Sequence, residues 1–316
     1  MNYKQSAEKK MSFENFLSGG HTGDYIIQDI PYEEQVCRAS QMIREAEYVL
    51  LGAGAGMSTA AGAEYGGKFF EENFAEFQKI YGKGPYMRDM YSAGFYLFPD
   101  EESRWGLWSH LALLAGADLD VTPLHRVLLD ALEGKKLFLL STNADHQFEK
   151  AGLAEERIFA TQGSYNRIQC IRGCHPKTYF AVEMFREMEL ARKNGKIPDN
   201  MVPKCPVCGR PMTMNLRCDN FFVEDEQWHA AEERFSLFLT ECLKGKTTLL
   251  ELGVGFNTPT IIRFPFEKLV REHENVSLIR LSRTKAMIPE SIAERCVGIN
   301  ADMAESIRDI TEELKR

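Results

Sequence analysis

Short apolar segments that alternate with helix-like stretches constrain the fold of this chain more than any other feature. Near-continuous apolar strands between helices are typical of a parallel sheet with both faces covered. We therefore predict an α/β fold with a doubly wound, Rossmann-like parallel sheet. The predicted strands are YVLL (48–51), KLFLLSTN (136–143), RIFAT (157–161), TTLLELG (247–253) and VSLIRLS (276–282).

Two regions interrupt this alternation and predict a smaller lobe. Residues 65–115 are rich in aromatic residues and helical in character, whereas residues 165–219 contain two cysteine pairs and little strand signal. We predict that the first is a helical insertion and the second a zinc-binding module. The remaining predicted parts are a weakly ordered N-terminal arm (1–30) and the Rossmann-like NAD-binding domain (31–64, 116–164 and 220–316).

Composition limits the classes of partner. The 316-residue chain has a formal net charge of −8, which argues against general affinity for nucleic acid or anionic membranes. Its N-terminus lacks the apolar core of a secretory signal, and no run of about 18 apolar residues predicts a membrane span. We therefore expect a cytoplasmic protein whose cysteines are reduced.

Four of the eight cysteines form two close pairs. Cys170 and Cys174 are separated by three residues, and Cys205 and Cys208 lie in the segment KCPVCG. Two such pairs resemble the two halves of a four-cysteine zinc site, in which sulfur ligands leave no open coordination position. We predict one structural zinc ion; the alternative is four free thiols.

Two further segments carry candidate ligand-binding residues. LGAGAGMSTAAG (51–62) follows a strand and opens a helix, so its backbone N–H groups could approach phosphate, although the strict dinucleotide spacing fails and a structural turn is the alternative. Asn143 and Asp145 follow the strand KLFLLSTN, at the edge where open α/β sheets bind ligands. The alternative is that either residue caps the next helix.

Taken together, these segments resemble the sirtuin family over residues 33–310. The matching motifs occur in the family's order: a phosphate loop, a T-Q-N-x-D segment, an E-x-H-G-S element, paired cysteines, a second glycine turn (ELGVG, 251–255), a strand end (RLSR, 280–283) and an adenine-side segment (NADMAES, 300–306). The matched positions are Gly54, Ala55, Gly56, Ser58 and Gly62, then Asn143, Asp145, Ala151 and Gly152, and finally Asp302 and Glu305.

The resemblance implies NAD as the cofactor and assigns roles by position. Asn143 would position the nicotinamide ribose or its water, and Asp145 would hold the nicotinamide carboxamide. The other implied cofactor-binding residues are Gly54, Ala55, Gly56, Ser58 and Gly62 on the diphosphate side, and Gly253, Ser282, Asp302 and Met303 on the adenosine side.

The departures from the family are as informative. AEYGG (63–67) replaces I-P-D-F-R, Thr142 replaces Gln, Phe148 replaces His, and Val223 stands where the peptide-binding strand usually has Gly. Gln162 takes the position of the catalytic His. This pattern resembles the divergent, macrodomain-linked (class M) sirtuins of microbes.

The Gln162 substitution predicts which reaction survives. Sirtuin-type deacylation has a second stage in which a base must accept a proton from a ribose hydroxyl, whereas glycosyl transfer to a protein nucleophile stops after the first stage, in which nicotinamide leaves. The Gln162 carboxamide cannot accept that proton. We therefore predict a protein mono-ADP-ribosyltransferase with Asn143, Gln162 and Asp145 as catalytic residues. The alternatives are a weak NAD-dependent deacylase, a non-catalytic NAD or ADP-ribose sensor, and a Gln162 that is merely a loop amide.

The class M resemblance also implies a substrate and a setting. The substrate would be a lipoyl-carrier protein similar to the glycine-cleavage H protein, a macrodomain hydrolase would remove the mark, and the setting would be oxidative stress. The aromatic-rich insertion could form the partner surface or belong to a core.

Overall fold

The computed structural model describes residues 11–20, 23–256 and 259–316. Its strands are β1 (Tyr25–Ile26), β2 (Tyr48–Ala53), β3 (Lys136–Ser141), β4 (Ile158–Ala160), β5 (Gly163–Cys170), β6 (Thr178–Phe180), β7 (Met212–Leu216), β8 (Thr247–Leu252), β9 (Val276–Ser282), β10 (Ile288–Pro289) and β11 (Cys296–Asn300).

The α-helices are interspersed with these strands. They are α1 (Phe13–Leu17), α2 (Tyr32–Glu45), α3 (Ala55–Ala60), α4 (Gly67–Asn73), α5 (Ala75–Tyr81), α6 (Met90–Ala93), α7 (Glu101–Ala112), α8 (Thr122–Ala131), α9 (Gln147–Lys150), α10 (Val182–Ala191), α11 (Glu226–Cys242), α12 (Arg263–Glu272) and α13 (Met303–Leu314). A π-helical segment, Leu113–Ala117, continues α7. Among the described residues, none of the helices has the length and apolar content needed to cross a membrane.

The main sheet has six strands in the order β11-β9-β8-β2-β3-β4, and all its pairs are parallel. Alternate residues of β2 enter different cores: Leu50 packs with α11 and α12, whereas Val49 and Leu51 pack with α2, α8 and α13. Helices therefore cover both faces, and the predicted doubly wound fold is confirmed.

The strand β11 was not predicted from the sequence. Its segment CVGIN is short, and Gly298 weakens the strand signal. The structure shows why glycine suits this position, because a Cβ atom on Gly298 would lie 2.0 Å from the carbonyl oxygen of Ala286. Close approach of a neighbouring backbone therefore explains the missed strand.

A second apolar cluster lies outside the main sheet. It joins Phe70, Phe74 and Trp105 of the helical insertion to Ile168 and Phe185 of the cysteine-containing region. The expectation of little strand structure in that region is wrong, because β5 pairs with β6 and β7 in an antiparallel sheet. The boundaries proposed between the domains stay a prediction.

The described part of the N-terminal arm packs against the main domain. The Phe13 ring lies 5.0 Å from that of Phe159, and the Phe16 ring lies 5.2 Å from that of Phe235. The strand β1 also pairs with β10. The arm was expected to be weakly ordered, but α1 is stabilised because its two aromatic rings are buried. Residues 1–10 of the arm lie outside the described residues.

Candidate active site

The predicted site residues lie along the carboxyl edge of the main sheet. The register pairs Ser141 with Ala53 and with Ala160, so Asn143, Gly54 and Gln162 follow three adjacent strands at one level. Leu252 pairs with Ala53 and with Leu281, and Ser282 pairs with Asn300. Parallel register therefore brings residues from six distant segments to one edge, which is where open α/β sheets bind ligands.

Three polar side chains connect the first two of these segments. The Asn143 amide donates from Nδ2 to Gly54 O (3.0 Å) and to Ser58 Oγ (3.2 Å). Ser58 in turn donates to Asp145 Oδ2 at 2.5 Å. Ser58 and Asp145 are buried, and burial raises the pKa of the Asp145 carboxyl. Ser58, which was predicted to line the diphosphate, is here a buried partner of Asp145.

The two glycine turns touch each other backbone to backbone. The N–H of Gly56 donates to Gly253 O (3.1 Å), and the N–H of Gly54 donates to Leu252 O (3.0 Å). A Cβ atom on Gly56 would lie 2.7 Å from Gly253 Cα, and Gly253 has a positive φ of 59°. The glycines therefore have a structural role in holding β2 and β8 together at the edge. Ala55 begins α3, and Gly62, which is exposed with φ 110°, follows that helix.

Gln162 stands between β4 and β5, and its backbone carbonyl accepts a hydrogen bond from the N–H of Arg217 (3.1 Å). Its side-chain nitrogen donates to Thr161 Oγ1 (3.1 Å). Arg217 donates from Nε to Thr161 O (3.2 Å) and forms an ion pair with Glu224 (2.6 Å). Sequence reasoning missed Arg217, because no local motif connects it to the distant turn that it supports.

The remaining predicted cofactor residues are at the other end of the edge. Ser282 Oγ accepts a hydrogen bond from the N–H of Lys285 (3.2 Å). Asp302 caps α13 by accepting from the N–H of Glu305 (3.1 Å), and Met303 is buried beneath it. Asp302 is exposed and Ser282 partly so, whereas Met303 has its side chain in the core.

Two tyrosines, Tyr65 and Tyr165, lie close enough to Asp145 for its charge to act on them. Burial, followed by the Asp145 charge, raises the pKa of Tyr65 and raises that of Tyr165 to about 12. Both phenols therefore remain protonated at neutral pH. Tyr65 belongs to the AEYGG segment, in which the sequence departs from the family pattern. This segment therefore places a hydrogen-bonding phenol beside Asp145.

Val223 differs from what a peptide-pairing strand requires. Its N–H donates to Gln169 Oε1 (2.9 Å), and its carbonyl accepts from Asn215 Nδ2 (3.2 Å). Gln169 and Asn215 also bond to each other at 2.7 Å, and all three side chains are buried. The backbone groups that an added strand would need are therefore already occupied.

Behind the second glycine turn lies a fully buried charge network that the sequence did not reveal. Glu251 accepts from Arg263 and from Arg280 at 2.8 Å each, and Arg280 also donates to Glu267 at 2.8 Å. Arg263 additionally donates to Val254 O (3.1 Å) and so fixes the loop that follows β8. The network ties β8 and β9 to α12.

The four paired cysteines come together in the structure. Their Sγ atoms all lie within 4.8 Å of one another, and Cys170–Cys208 and Cys174–Cys205 are each separated by 3.6 Å. Tetrahedral zinc with bonds of about 2.3 Å places its sulfur ligands about 3.8 Å apart. The arrangement of these thiols therefore fits one zinc ion with four sulfur ligands, which is a structural type of site.

Comparisons with known proteins agree with this arrangement. No protein-family model matches the chain. A protein ADP-ribosyltransferase of Staphylococcus aureus is 33% identical over 263 residues, which cover 83% of this chain and 82% of that protein. A probable bifunctional ADP-ribose hydrolase/ADP-ribosyltransferase of Fusarium oxysporum is 30% identical over 88% of this chain. The match spans about half (47%) of the length of the fungal protein.

Among solved structures, a Sir2 homologue in complex with NAD matches with a TM-score of 0.53 at 14% identity, covering 94% of this chain and 97% of that one. The fold is therefore that of the Sir2 proteins, or sirtuins. Given the identity and coverage of the bacterial relative, the chain belongs to the sirtuin-like protein ADP-ribosyltransferase family.

Proposed function

We propose that this protein is an NAD-dependent protein mono-ADP-ribosyltransferase that releases nicotinamide. The observation that carries the proposal is the position of Gln162, at the level of Asn143 on the same sheet edge. A sirtuin-type site with a carboxamide here keeps the groups for glycosyl transfer but has no base for deacylation. Loss of general-base assistance typically lowers a rate by about 10²–10⁴.

The transfer can proceed without that base. The bond between ribose C1′ and the nicotinamide nitrogen breaks, and nicotinamide leaves with the bonding electrons. A nucleophile of the acceptor protein forms the new bond to C1′, and an ionised carboxylate acceptor has no proton to lose. The protein needs chiefly to orient the reactants and exclude water.

The contacts at the sheet edge support specific roles. Asn143 is held by Gly54 O and Ser58 Oγ, so its amide is fixed where it would position the nicotinamide ribose. Asp145 would hold the nicotinamide carboxamide. The residues proposed to bind the rest of NAD are Gly54, Ala55, Gly56, Ser58 and Gly62 on one side and Gly253, Ser282, Asp302 and Met303 on the other.

Val223 supports transfer over deacylation. An acyl-lysine peptide that binds by strand addition needs free backbone donors and acceptors. Both backbone groups of Val223 are bonded to the side chains of Gln169 and Asn215. Displacing these buried bonds would leave polar groups unpaired, at about 1–3 kcal/mol each.

We further propose a lipoyl-carrier protein similar to the glycine-cleavage H protein as the substrate, in a response to oxidative stress. The fungal relative is named as a hydrolase as well as a transferase, which supports a functional link to an enzyme that removes ADP-ribose. The aromatic side chains Tyr91 and Phe95 are exposed on the insertion and could contribute to the partner surface.

Intact mass spectrometry tests both levels of the proposal. The protein is incubated with NAD and a lipoylated or unlipoylated H-type carrier, and one ADP-ribose is expected on the lipoylated carrier. Asn143→Ala should abolish the adduct. Thr142→Ala is the matched control, because its hydroxyl donates to Ala53 O (3.3 Å) and should be dispensable.

The outcomes separate the two levels. An adduct on another protein but not on the carrier would reject the substrate and retain the activity. Removal of acyl groups from acyl-lysine peptides at a rate above that of ADP-ribosyl transfer would contradict the proposed reaction.

A further inference from the structure

Three polar side chains that have no role in the proposed ADP-ribosyl transfer form a line beside the proposed catalytic residues. Ser164 Oγ lies 2.6 Å from His146 Nε2, and His146 Nδ1 lies 3.0 Å from Glu149 Oε1. Ser164 is buried with 4% exposure, and the side chains of His146 and Glu149 are 28% and 29% exposed. The line therefore runs from the protein surface to the turn that contains Gln162.

The hydrogen-bond inventory gives this line a direction. Burial favours neutral Glu149, yet the bond from His146 lowers its pKa overall, so the carboxylate is an acceptor. A neutral His146 with its proton on Nδ1 would donate to Glu149 and accept at Nε2 from the Ser164 hydroxyl. Ser164 Oγ accepts in turn from the N–H of Asn166 (3.0 Å).

The line connects the two segments that carry the proposed catalytic residues. His146 follows Asp145 directly, and Ser164 is two residues beyond Gln162. A second tie runs parallel to it, since the N–H of Tyr165 donates to Ala144 O at 3.1 Å. The relative placement of the two segments is thus set by contacts at this point.

The backbone of His146 gives an independent indication. Its φ is 59°, in the left-handed region, which costs a residue with a Cβ atom about 1–2 kcal/mol. Such strain persists where the surroundings determine it, and it clusters at functional sites. Here the left-handed turn aims the imidazole at Ser164 while the carboxyl group of Asp145 points to Ser58.

We propose that Ser164, His146 and Glu149 form a positioning relay that fixes the Gln162 turn relative to Asn143 and Asp145. The proposal rests on the proposed function. Ser164 is not a nucleophile in this scheme, because its oxygen is buried and accepts the Asn166 N–H. Glu149 acts by holding the His146 tautomer that accepts from Ser164.

Four variants test the relay by steady-state nicotinamide release. His146→Asn tolerates a positive φ but is too short to reach Ser164, Ser164→Ala removes the hydroxyl, and Glu149→Met removes the acceptor. Each should lower kcat about 10- to 100-fold, the size of effect produced by misplacing a catalytic group by about 1 Å, with KM for NAD unchanged within about threefold. Glu149→Gln keeps an acceptor oxygen and should retain kcat within about threefold.

Matched controls come from a similar pair on α11. His229 Nδ1 lies 3.7 Å from Glu232 Oε2, also three residues apart, and His229→Asn and Glu232→Gln should leave kcat unchanged. Melting temperatures identify any variant that loses activity by unfolding. If His146→Asn unfolds, Ser164→Ala carries the kinetic test. Unchanged kcat in a folded His146→Asn or Ser164→Ala variant, or equal loss in Glu149→Gln and Glu149→Met, would overturn the relay.

A spectroscopic readout separates failure of the relay from failure of the proposed function. In ¹⁵N-histidine-labelled protein, the His146 signal is assigned by its loss in His146→Asn. It should report a proton on Nδ1 in the wild type and in Glu149→Gln, and should change in Glu149→Met. An Nε2-protonated His146 in the wild type rejects the relay even in an active enzyme, whereas the expected tautomer in a protein that never releases nicotinamide rejects only the function.

Discussion

Ser58 donates to Asp145 Oδ2 at 2.5 Å, and the Asn143 amide donates to the same Ser58 oxygen at 3.2 Å. One buried hydroxyl thus orients both Asn143 and Asp145 of the STNAD segment (141–145). This relationship explains why a serine follows the first glycine turn, and it couples that turn to the end of β3.

We expect Ser58→Ala to lower both stability and activity. The substitution leaves the buried Asp145 with the Gln147 N–H (3.3 Å) as a partner and removes the hydroxyl that holds Asn143. Loss of one bond to a buried group costs about 1–3 kcal/mol. Urea unfolding and the kcat/KM for NAD measure the two effects. Ser109→Ala is the control, because Ser109 is buried and its hydroxyl donates to a helix carbonyl, Trp105 O (2.7 Å), so an equal loss there would contradict the assignment.

The burial of Asp145 predicts how stability changes with pH. Its pKa is raised in the folded protein, so it keeps its proton over a range in which the unfolded carboxyl, with a pKa of about 3.9, is already ionised. The native state therefore binds more protons, and this residue's contribution to stability is lost as pH rises through the folded pKa.

Asp145→Asn should remove that dependence while retaining the acceptor for Ser58. The variant should gain stability relative to the wild type over the range from about pH 4 up to the folded pKa of Asp145, by an amount that grows with pH, and should lose transferase activity. Thermal unfolding at several pH values measures the difference. A constant difference across this range would show that Asp145 does not titrate as its burial requires.

Much of this site could be predicted from the sequence because its residues follow strand ends. Parallel register brings such positions together, as Ser141 shows by pairing with both Ala53 and Ala160. The zinc ligands were predictable for a similar reason, since two short spacings fix two thiols each.

Other features depend on contacts between distant segments and left no local signal. Arg217 supports the Gln162 turn from 55 positions along the chain, and Val223, which lies in a loop, has its partners on β5 and β7. The buried Glu251 lies in a strand that the sequence presents as apolar. The opposite error occurred for the N-terminal arm, where Phe13 and Phe16 find aromatic partners that are distant in sequence.

The contact between the glycine turns predicts a graded series of alanine variants. Gly253→Ala puts alanine at a positive φ and also places its new Cβ atom 2.5 Å from the Gly56 carbonyl carbon. Gly134→Ala has a positive φ of 82° with no described atom within 4 Å, so it isolates the backbone cost of about 1–2 kcal/mol. We expect Gly253→Ala to lose clearly more stability and to weaken NAD binding, measured by chemical unfolding and calorimetry. Equal losses would mean that the turns can separate freely.

The buried charge network predicts a large loss of stability from one neutral substitution. Glu251→Leu leaves Arg280 with one carboxylate and Arg263 with backbone carbonyl acceptors, in a region that excludes water. Removing one member of a buried ion pair typically costs about 3–5 kcal/mol. The unfolding free energy should fall by this amount, whereas Glu47→Gln, whose side chain is 52% exposed and paired with Lys136, should change it by less than about 1 kcal/mol.

Metal removal should selectively disrupt the cysteine-containing region. The thiols of Cys170 and Cys205 are buried in the apolar cluster that also contains Trp105 and Phe185, so loss of the ion leaves adjacent thiolates or thiols without a common partner. We expect one zinc per chain by elemental analysis, a fall in zinc content in Cys205→Ser, and a lower melting temperature after chelation that added zinc restores. Cys37→Ser changes an exposed cysteine outside the cluster and should alter neither. Because the four sulfur ligands leave no coordination position for a substrate, partial chelation should reduce activity only in proportion to unfolding. If activity falls while the protein stays folded, the metal has a catalytic role instead.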